Sequence, residues 1–186
     1  VKDVINILDE EDQEDVKQLL SYEPDTAGGL MTTEFIGIYD NKTVKSTLAY
    51  LKNECQDVEM ATYIYVISRQ GLLQGVLSLR DLVFSTDDTL ISSITNRHVI
   101  SIPVALDQEE VAQIFSKYNF VMMPVCDNQN HMLGVITMDD VLDVIQEEAS
   151  EDIHHMAGLA KEERIDGTVI ESLRSRLPWL IINLIT

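Results

Sequence analysis

A chain of 186 residues with 45% hydrophobic composition is long enough for one ordinary domain or two small ones, and it is too apolar for a disordered acidic tail. Its 32 acidic residues outnumber 13 basic ones, giving a formal net charge of −19, which argues against nucleic-acid binding because the surface repels phosphate backbones. Such a surface attracts cations, and carboxylate oxygens suit Mg²⁺ or Ca²⁺. The alternative is that the charge only keeps the protein in solution.

The first predicted elements form a strand–helix–strand–strand–helix unit. A short apolar strand at Ile36–Ile38 precedes a helix at residues 43–53, and strands at residues 63–68 and 75–79 lead to a second helix. Upstream, Gly28–Gly29 is interpreted as a hinge or turn, because no phosphate-loop motif surrounds it.

The same order of elements returns in the second half of the chain. Residues 66–83, VISRQGLLQGVLSLRDLV, align without a gap to residues 125–142, VCDNQNHMLGVITMDDVL. The predicted elements of the second unit are a strand at Val99–Ile102, a helix at 108–118 capped by Asp107, and strands at 121–126 and 134–138. Each unit is too small to cover both faces of its sheet, so the two units are expected to pack sheet to sheet. The predicted fold class is therefore α/β, with two packed repeats.

The segment that follows the second unit is strongly acidic. Residues 138–155, MDDVLDVIQEEASEDIHH, contain seven carboxylates, and no lysine or arginine occurs between Lys117 and Lys161. On one helix, four of these carboxylates would fall on a common stripe at 100° per residue: Asp140, Asp143, Glu147 and Glu151. Like charges at this spacing are mildly destabilising, by a few tenths of a kcal/mol per pair. A divalent cation would reverse the sign of that effect.

The last residues, RSRLPWLIINLIT at 174–186, start with two arginines and then become apolar. The run is about half the length that a membrane-spanning helix needs. It is interpreted as the start of a transmembrane helix whose arginines lie on the cytoplasmic side. The alternative is a core or dimer helix of a regulatory domain without a membrane part.

The repeated segment G-V-[LI]-[ST]-x-x-D-[LV] resembles the CBS domain, which occurs in tandem pairs. The flanking segments SYEPDTAGGLMTTEF and DDVLDVIQEEASEDIHHM, together with the apolar end, resemble the MgtE family of magnesium channels and transporters. The resemblance implies five regions. They are residues 1–29 as the last part of an N-terminal helical domain, 30–93 and 94–148 as the two CBS domains, 149–178 as a connecting or plug helix, and 179–186 as the start of the first transmembrane helix.

The resemblance also implies a function. The chain would be the cytoplasmic, Mg²⁺-sensing region of a homodimeric membrane transporter, in which bound Mg²⁺ stabilises the closed state. The positions that match the family's Mg²⁺ ligands are Asp107, Glu109, Asp140, Asp143, Glu148, Glu151 and Asp152. Asn119 stands where an aspartate is expected, so that site would bind more weakly or be lost. No nucleophile–base pairing is visible in the sequence, and no enzymatic activity is expected.

Adenosine nucleotides are the second ligand that the resemblance implies. For ATP, Asp81 would hold the ribose hydroxyls, Arg80 would face the phosphates and Tyr63 would stack on the base, with Pro124 nearby. The open alternatives are that Asp81 merely caps a helix, and that the chain is a nucleotide-sensing CBS module of another membrane protein.

Overall fold

The structure is a computed structural model that describes residue 16, residues 19–54 and residues 62–156, with only the backbone described for residue 54 and residues 151–156. Two compact units divide the chain, Val1–Val141 and Leu142–Thr186. Both sheets belong to the first unit. The second unit is described as helix up to Met156, with side chains up to residue 150.

The first repeat contains a three-stranded sheet. Its elements, with the short helix before it, are α1 (Ala27–Leu30), β1 (Gly37–Ile38), α2 (Val44–Glu54), β2 (Tyr63–Ile67), β3 (Leu73–Ser78), α3 (Leu79–Val83) and α4 (Ile91–Ile94). The strand order is β1-β2-β3; β1 runs parallel to β2, and β2 runs antiparallel to β3.

The second repeat has the same construction. Its elements are β4 (Ile102–Pro103), α5 (Gln108–Tyr118), β5 (Met122–Cys126), β6 (Met132–Thr137) and α6 (Met138–Met156). The order is β4-β5-β6 with the same strand directions, and each hairpin has its register shift at the equivalent place, after Val66 and after Val125. These two valines are the first aligned pair of the repeat, so the structure confirms the alignment and the α/β class.

Three apolar clusters hold the first unit together. Each repeat has its own cluster as a core. The third cluster lies between the repeats and contains side chains of both hairpins, which are Tyr65 and Leu73 from the first and Met122, Met132 and Val135 from the second. The predicted packing of the two sheets against each other is therefore confirmed. Because these side chains lose their contact with water only when both repeats are present, each repeat stabilises the other.

The two repeats also exchange edge segments. Thr32, which precedes the first repeat, forms a bridge with Val135 of β6, and Asn96, which precedes the second repeat, forms a bridge with Val76 of β3. Backbone hydrogen bonds of 2.9 Å run in both directions at each bridge. The segment that leads into the first repeat thus extends the sheet of the second repeat, and the segment that leads into the second repeat extends the sheet of the first.

Some sequence-based boundaries differ from the structure. The strand expected at Val99–Ile102 is Ile102–Pro103, because the chain just before it is used to cross to the first repeat. Gly28 and Gly29, interpreted as a hinge, lie in α1 instead, where their lack of side chains lets the helix approach Tyr22 and the Pro24 carbonyl. Of the plug helix predicted at 149–178, residues 149–156 are described, as the end of α6, and its remainder and the membrane helix predicted at 179–186 fall outside the described residues.

Candidate functional site

A cleft of about 190 Å³ lies between the two repeats. Tyr63 and Tyr65 of β2 contribute to one side, and Met122 and Pro124 of β5 contribute to another. The crossing segment that precedes β4 supplies further lining residues, which are Asn96, His98, Val99 and Ile100. The cleft therefore brings together Tyr63 and Pro124, two residues predicted for nucleotide binding.

The other two predicted nucleotide residues lie at the start of α3, directly after β3. Ser78, the residue that caps this helix, is the cross-strand partner of Tyr63, so the cap is adjacent to a residue that lines the cleft. Arg80 is exposed, and its Cζ atom lies 5.7 Å from the ring centroid of the exposed Phe84. Neither Arg80 nor Asp81 lines the cleft itself.

Asp81 forms a reciprocal cap with Ser78. Its Oδ2 accepts hydrogen bonds from the Ser78 backbone N–H at 2.8 Å and from the Ser78 hydroxyl at 2.6 Å, and its own N–H donates to Ser78 Oγ at 3.2 Å. The Ser78 hydroxyl, followed by the Ser78 backbone N–H, lowers the pKa of Asp81 below its usual value. The helix-cap interpretation of Asp81 is thus confirmed. Its second oxygen is not used in the cap and could accept from a ligand.

The second repeat has the equivalent cap. Asp140 Oδ2 accepts from the Thr137 hydroxyl at 2.6 Å and from the Thr137 N–H at 3.3 Å. The residue that replaces Arg80 is Asp139, which lies at the start of α6. A phosphate would be repelled there rather than bound, so the two caps offer opposite electrostatic environments.

The predicted Mg²⁺ ligands are distributed over two helix starts and the body of α6. Asp107 is the N-cap of α5, and its Oδ1 accepts from the Glu109 N–H at 2.9 Å. Asp140 and Glu148 are placed near the start and middle of α6, and Asp143 is exposed. The side chains of Glu151 and Asp152 are not among those described. Among the side chains that are described, no three of the His, Cys, Asp and Glu residues come together as a metal site.

Sequence reasoning did not identify most of the residues that line the cleft. Asn96, His98 and Ile100 were missed because their segment was assigned partly to a strand of the second repeat. The available signal was the similarity of FIGI at residues 35–38 to VISI at residues 99–102, because the same offset of 64 pairs Thr32 with Asn96. That equivalence pointed to a shared structural role for Thr32 and Asn96.

Comparison with known proteins agrees with this geometry. The family described as "CBS domain" matches residues 91–147. The exchanged edge segments, the paired hairpins and the cleft between the two repeats define a protein with a tandem pair of CBS domains.

More specific similarity extends over nearly the whole chain. The magnesium transporter MgtE of Enterococcus faecalis is 46% identical over 171 residues, which cover 92% of this chain and 38% of that protein. MgtE of Thermus thermophilus is 37% identical over 97% of this chain and 41% of its own length. The chain belongs to the MgtE family, and it spans about two fifths of the length of these relatives.

Solved structures support the same assignment. The soluble part of a magnesium transporter superposes with a TM-score of 0.74 at 47% identity, covering 78% of this chain and 57% of that one. The cytosolic domain of the Mg²⁺ channel MgtE in complex with ATP superposes with a TM-score of 0.73 at 40% identity, covering 77% and 58%. Within the described ranges, no helix has the length and apolar character needed to cross a membrane.

Proposed function

We propose that this chain is the Mg²⁺-sensing regulatory region of a magnesium transporter. The observation that carries the proposal is the acidic α6, the last helix of the second repeat, which has no basic residue other than histidine along its length, in a chain 46% identical to a magnesium transporter. A sensing region needs ligands of modest affinity, and carboxylates that bind a largely hydrated Mg²⁺ supply them.

The proposed mechanism is electrostatic. Without Mg²⁺, carboxylates such as Asp143 and Glu148 repel acidic groups on neighbouring bodies. An ion shared between facing carboxylates changes that repulsion into attraction and stabilises a compact arrangement, which we assign to the closed transporter. In this proposal the neighbouring bodies are a second copy of the chain, in a homodimer, and parts of the full-length protein outside these 186 residues, including a multi-pass transmembrane domain. The region acts on the cytoplasmic side and regulates transport without catalysing a reaction.

Limited proteolysis of the 186-residue chain tests the proposal. Millimolar Mg²⁺ is expected to slow cleavage around α6, whereas NaCl at the same ionic strength is not, because screening alone forms no shared ligand sites. The triple variant Asp140→Asn, Asp143→Asn and Glu148→Gln should lose the Mg²⁺ effect. A matched variant that neutralises Asp40, Asp87 and Asp88 should keep it. Equal cleavage with Mg²⁺ and NaCl would refute the proposal.

A second candidate function is nucleotide sensing, and the cleft favours it. Its aromatic and apolar lining fits an adenine base, and an ATP-bound relative has the same fold at 40% identity. We propose that Tyr63 and Pro124 contact the base, that the free oxygen of Asp81 accepts from the ribose, and that Arg80 turns from Phe84 to the phosphates. Calorimetry should then detect ATP binding that Tyr63→Ala weakens and that Tyr39→Ala, at an exposed tyrosine outside the cleft, does not. Unchanged binding in Tyr63→Ala would exclude this site.

A further inference from the structure

A second cavity, of about 300 Å³, lies within the first repeat and shares no lining residue with the cleft between the repeats. It is bounded by the edge strand β1 with Tyr39 after it, by α2, and by Ile67 at the end of β2. Its volume is at the lower limit of ordinary small-molecule sites. The Mg²⁺ and nucleotide proposals do not use any residue of this cavity.

Thr47 of α2 lines the cavity and carries an unusual hydroxyl group. The side chain is buried, at 1% exposure, and its Oγ1 has no hydrogen-bond partner among the described residues. Buried polar groups are nearly always paired, because an unpaired one loses its bonds to water without compensation. A threonine in a helix has two accessible χ1 rotamers, so this hydroxyl can turn towards an acceptor inside the cavity.

Lys42 contributes a positive charge to the same cavity. In the described part of the chain, no carboxylate lies within ion-pair distance of its ammonium group. Lys42 is the only charged residue among those described as lining this cavity, in a chain whose formal net charge is −19. The cavity is therefore a local exception to a surface that otherwise repels anions.

The second repeat shows that the fold does not require these polar groups. The equivalence of the positions follows from the backbone, because Ile91 N–H donates to the Lys42 carbonyl at 2.9 Å just as Ala27 N–H donates to the Leu106 carbonyl at 2.7 Å. The same offset pairs Thr47 with the fully buried Val111.

A third position differs in the same way. Tyr50 corresponds to Ile114, and both Ile114 and Leu106 pack against the apolar core of the second repeat. Lysine, threonine and tyrosine in the first repeat thus stand where leucine, valine and isoleucine pack in the second. A role in folding does not explain the polar set.

We propose that this cavity binds a small aromatic carboxylate. Lys42 supplies the cation for the carboxylate, and Thr47 supplies a hydroxyl donor for it. Ile38, Ile67 and the rings of Tyr39 and Tyr50 supply an apolar and aromatic lining for the ring. Ligand binding there would be separate from both Mg²⁺ and nucleotide binding.

Titration of the isotope-labelled 186-residue chain with benzoate tests the proposal by NMR. Benzoate should produce saturable shifts of the Gly37, Ile38 and Ile67 amides. Benzyl alcohol lacks the charge and acetate lacks the ring, so each should produce weaker shifts at these amides. Absence of saturable shifts with benzoate, or shifts confined to cleft residues such as His98, would overturn the proposal.

Variants that copy residues of the second repeat into the first identify the groups responsible. Lys42→Leu should weaken benzoate binding about tenfold or more, because it removes a charge-assisted hydrogen bond. Thr47→Val should weaken it roughly fivefold. Lys45→Leu, at a position on α2 outside the cavity, is the matched control and should bind like the parent chain. Equal benzoate affinity in the parent, Lys42→Leu and Thr47→Val would show that the ammonium and hydroxyl do not bind the carboxylate, and would overturn the proposal.

Discussion

Two threonines near the start of α2 differ in whether their hydroxyl groups are hydrogen-bonded. The Thr43 hydroxyl oxygen accepts from the Ser46 N–H at 3.3 Å, while the Ser46 hydroxyl donates to the Thr43 carbonyl at 2.9 Å, so this pair satisfies backbone groups at the start of the helix. The hydroxyl of Thr47, one turn later, is buried and has no hydrogen-bond partner among the described residues. The same residue type therefore stabilises the helix at one position and is expected to reduce stability at the other.

We expect the same substitution to change stability in opposite directions at these positions. Thr47→Val replaces an unpaired hydroxyl by a methyl group and should raise the free energy of unfolding by about 1 kcal/mol. Thr43→Val removes the capping acceptor and should lower it by about 1 kcal/mol. Urea denaturation of the two variants measures both effects. A loss of stability in Thr47→Val would mean that its hydroxyl has a partner in the folded chain.

The lowered pKa of Asp81 makes part of the stability depend on pH. Hydrogen bonds from Ser78 favour the charged carboxylate in the folded state, so the folded pKa lies below the unfolded one. The contribution is fully present above the ordinary aspartate pKa, and it is lost as the pH falls through the lowered folded value. Asp81→Asn should therefore flatten the acid limb of the stability curve measured by urea midpoints. Asp88→Asn, at an exposed position in the following turn, should leave the curve unchanged.

At the scale of elements, two equivalent glycines allow the edge segments to cross. A Cβ atom on Gly134 would lie 2.5 Å from the Thr32 carbonyl oxygen and 3.1 Å from Met31, and one on Gly75 would lie 2.8 Å from the Asn96 carbonyl oxygen and would also meet Thr95. In both cases the added Cβ atom would contact a backbone carbonyl oxygen, and the backbone cannot move away as a flexible side chain can. The glycine of the repeated motif is thus explained by the exchange of segments between the repeats.

Gly134→Ala should consequently lower the free energy of unfolding by about 1–3 kcal/mol, because the crossing strand must shift. Gly37→Ala is the matched control. Its added methyl group would come closest to the end of the Ile67 side chain, at 3.0 Å, and we expect a change within about 1 kcal/mol. Urea denaturation of both variants checks the difference, and similar effects in the two would contradict a role for the crossing segment.

At the scale of the whole molecule, the apolar cluster between the repeats makes the stability of each repeat depend on the other. The hairpin tips add backbone hydrogen bonds of 3.0 Å from Leu73 N–H to the Asn130 carbonyl and from Met132 N–H to the Gly71 carbonyl. The side-chain amide of Asn130, a residue with positive φ, donates to the Leu73 carbonyl at 2.9 Å. Neither repeat retains these contacts alone.

The first unit should therefore unfold in one cooperative transition. Met132→Ala, in the cluster between the repeats, should lower the urea midpoints of β2 and β5 together, with a loss of about 2 kcal/mol or more. NMR signals from both strands during the titration measure this. Gln129→Ala, in the exposed turn of the same hairpin, should have little effect. Separate midpoints for the two strands would show that the repeats fold independently.

Several features of the fold and the site could be predicted from the sequence. The spacing of apolar residues and the gapless repeat predicted the order of strands and helices, because these depend on periodicities that each local segment carries by itself. The Asp107 cap was also predictable, since a cap needs only neighbours in the chain. Tyr63 and Pro124 were correctly expected to lie near each other, although this came from the resemblance to CBS pairs.

By itself, the sequence determined the repeat, the acidic composition and the local caps, because each depends on residues that are close along the chain. Tertiary structure alone decided that Thr32 and Asn96 cross to the opposite repeat, that His98 enters the cleft, and that Lys42 and Thr47 share a cavity. These relations join residues that are distant in sequence or lie on different faces. They follow from how the two sheets pack and from which backbone segments can lie close to a glycine. The local periodicity of the sequence carries no information about sheet packing or about these close approaches.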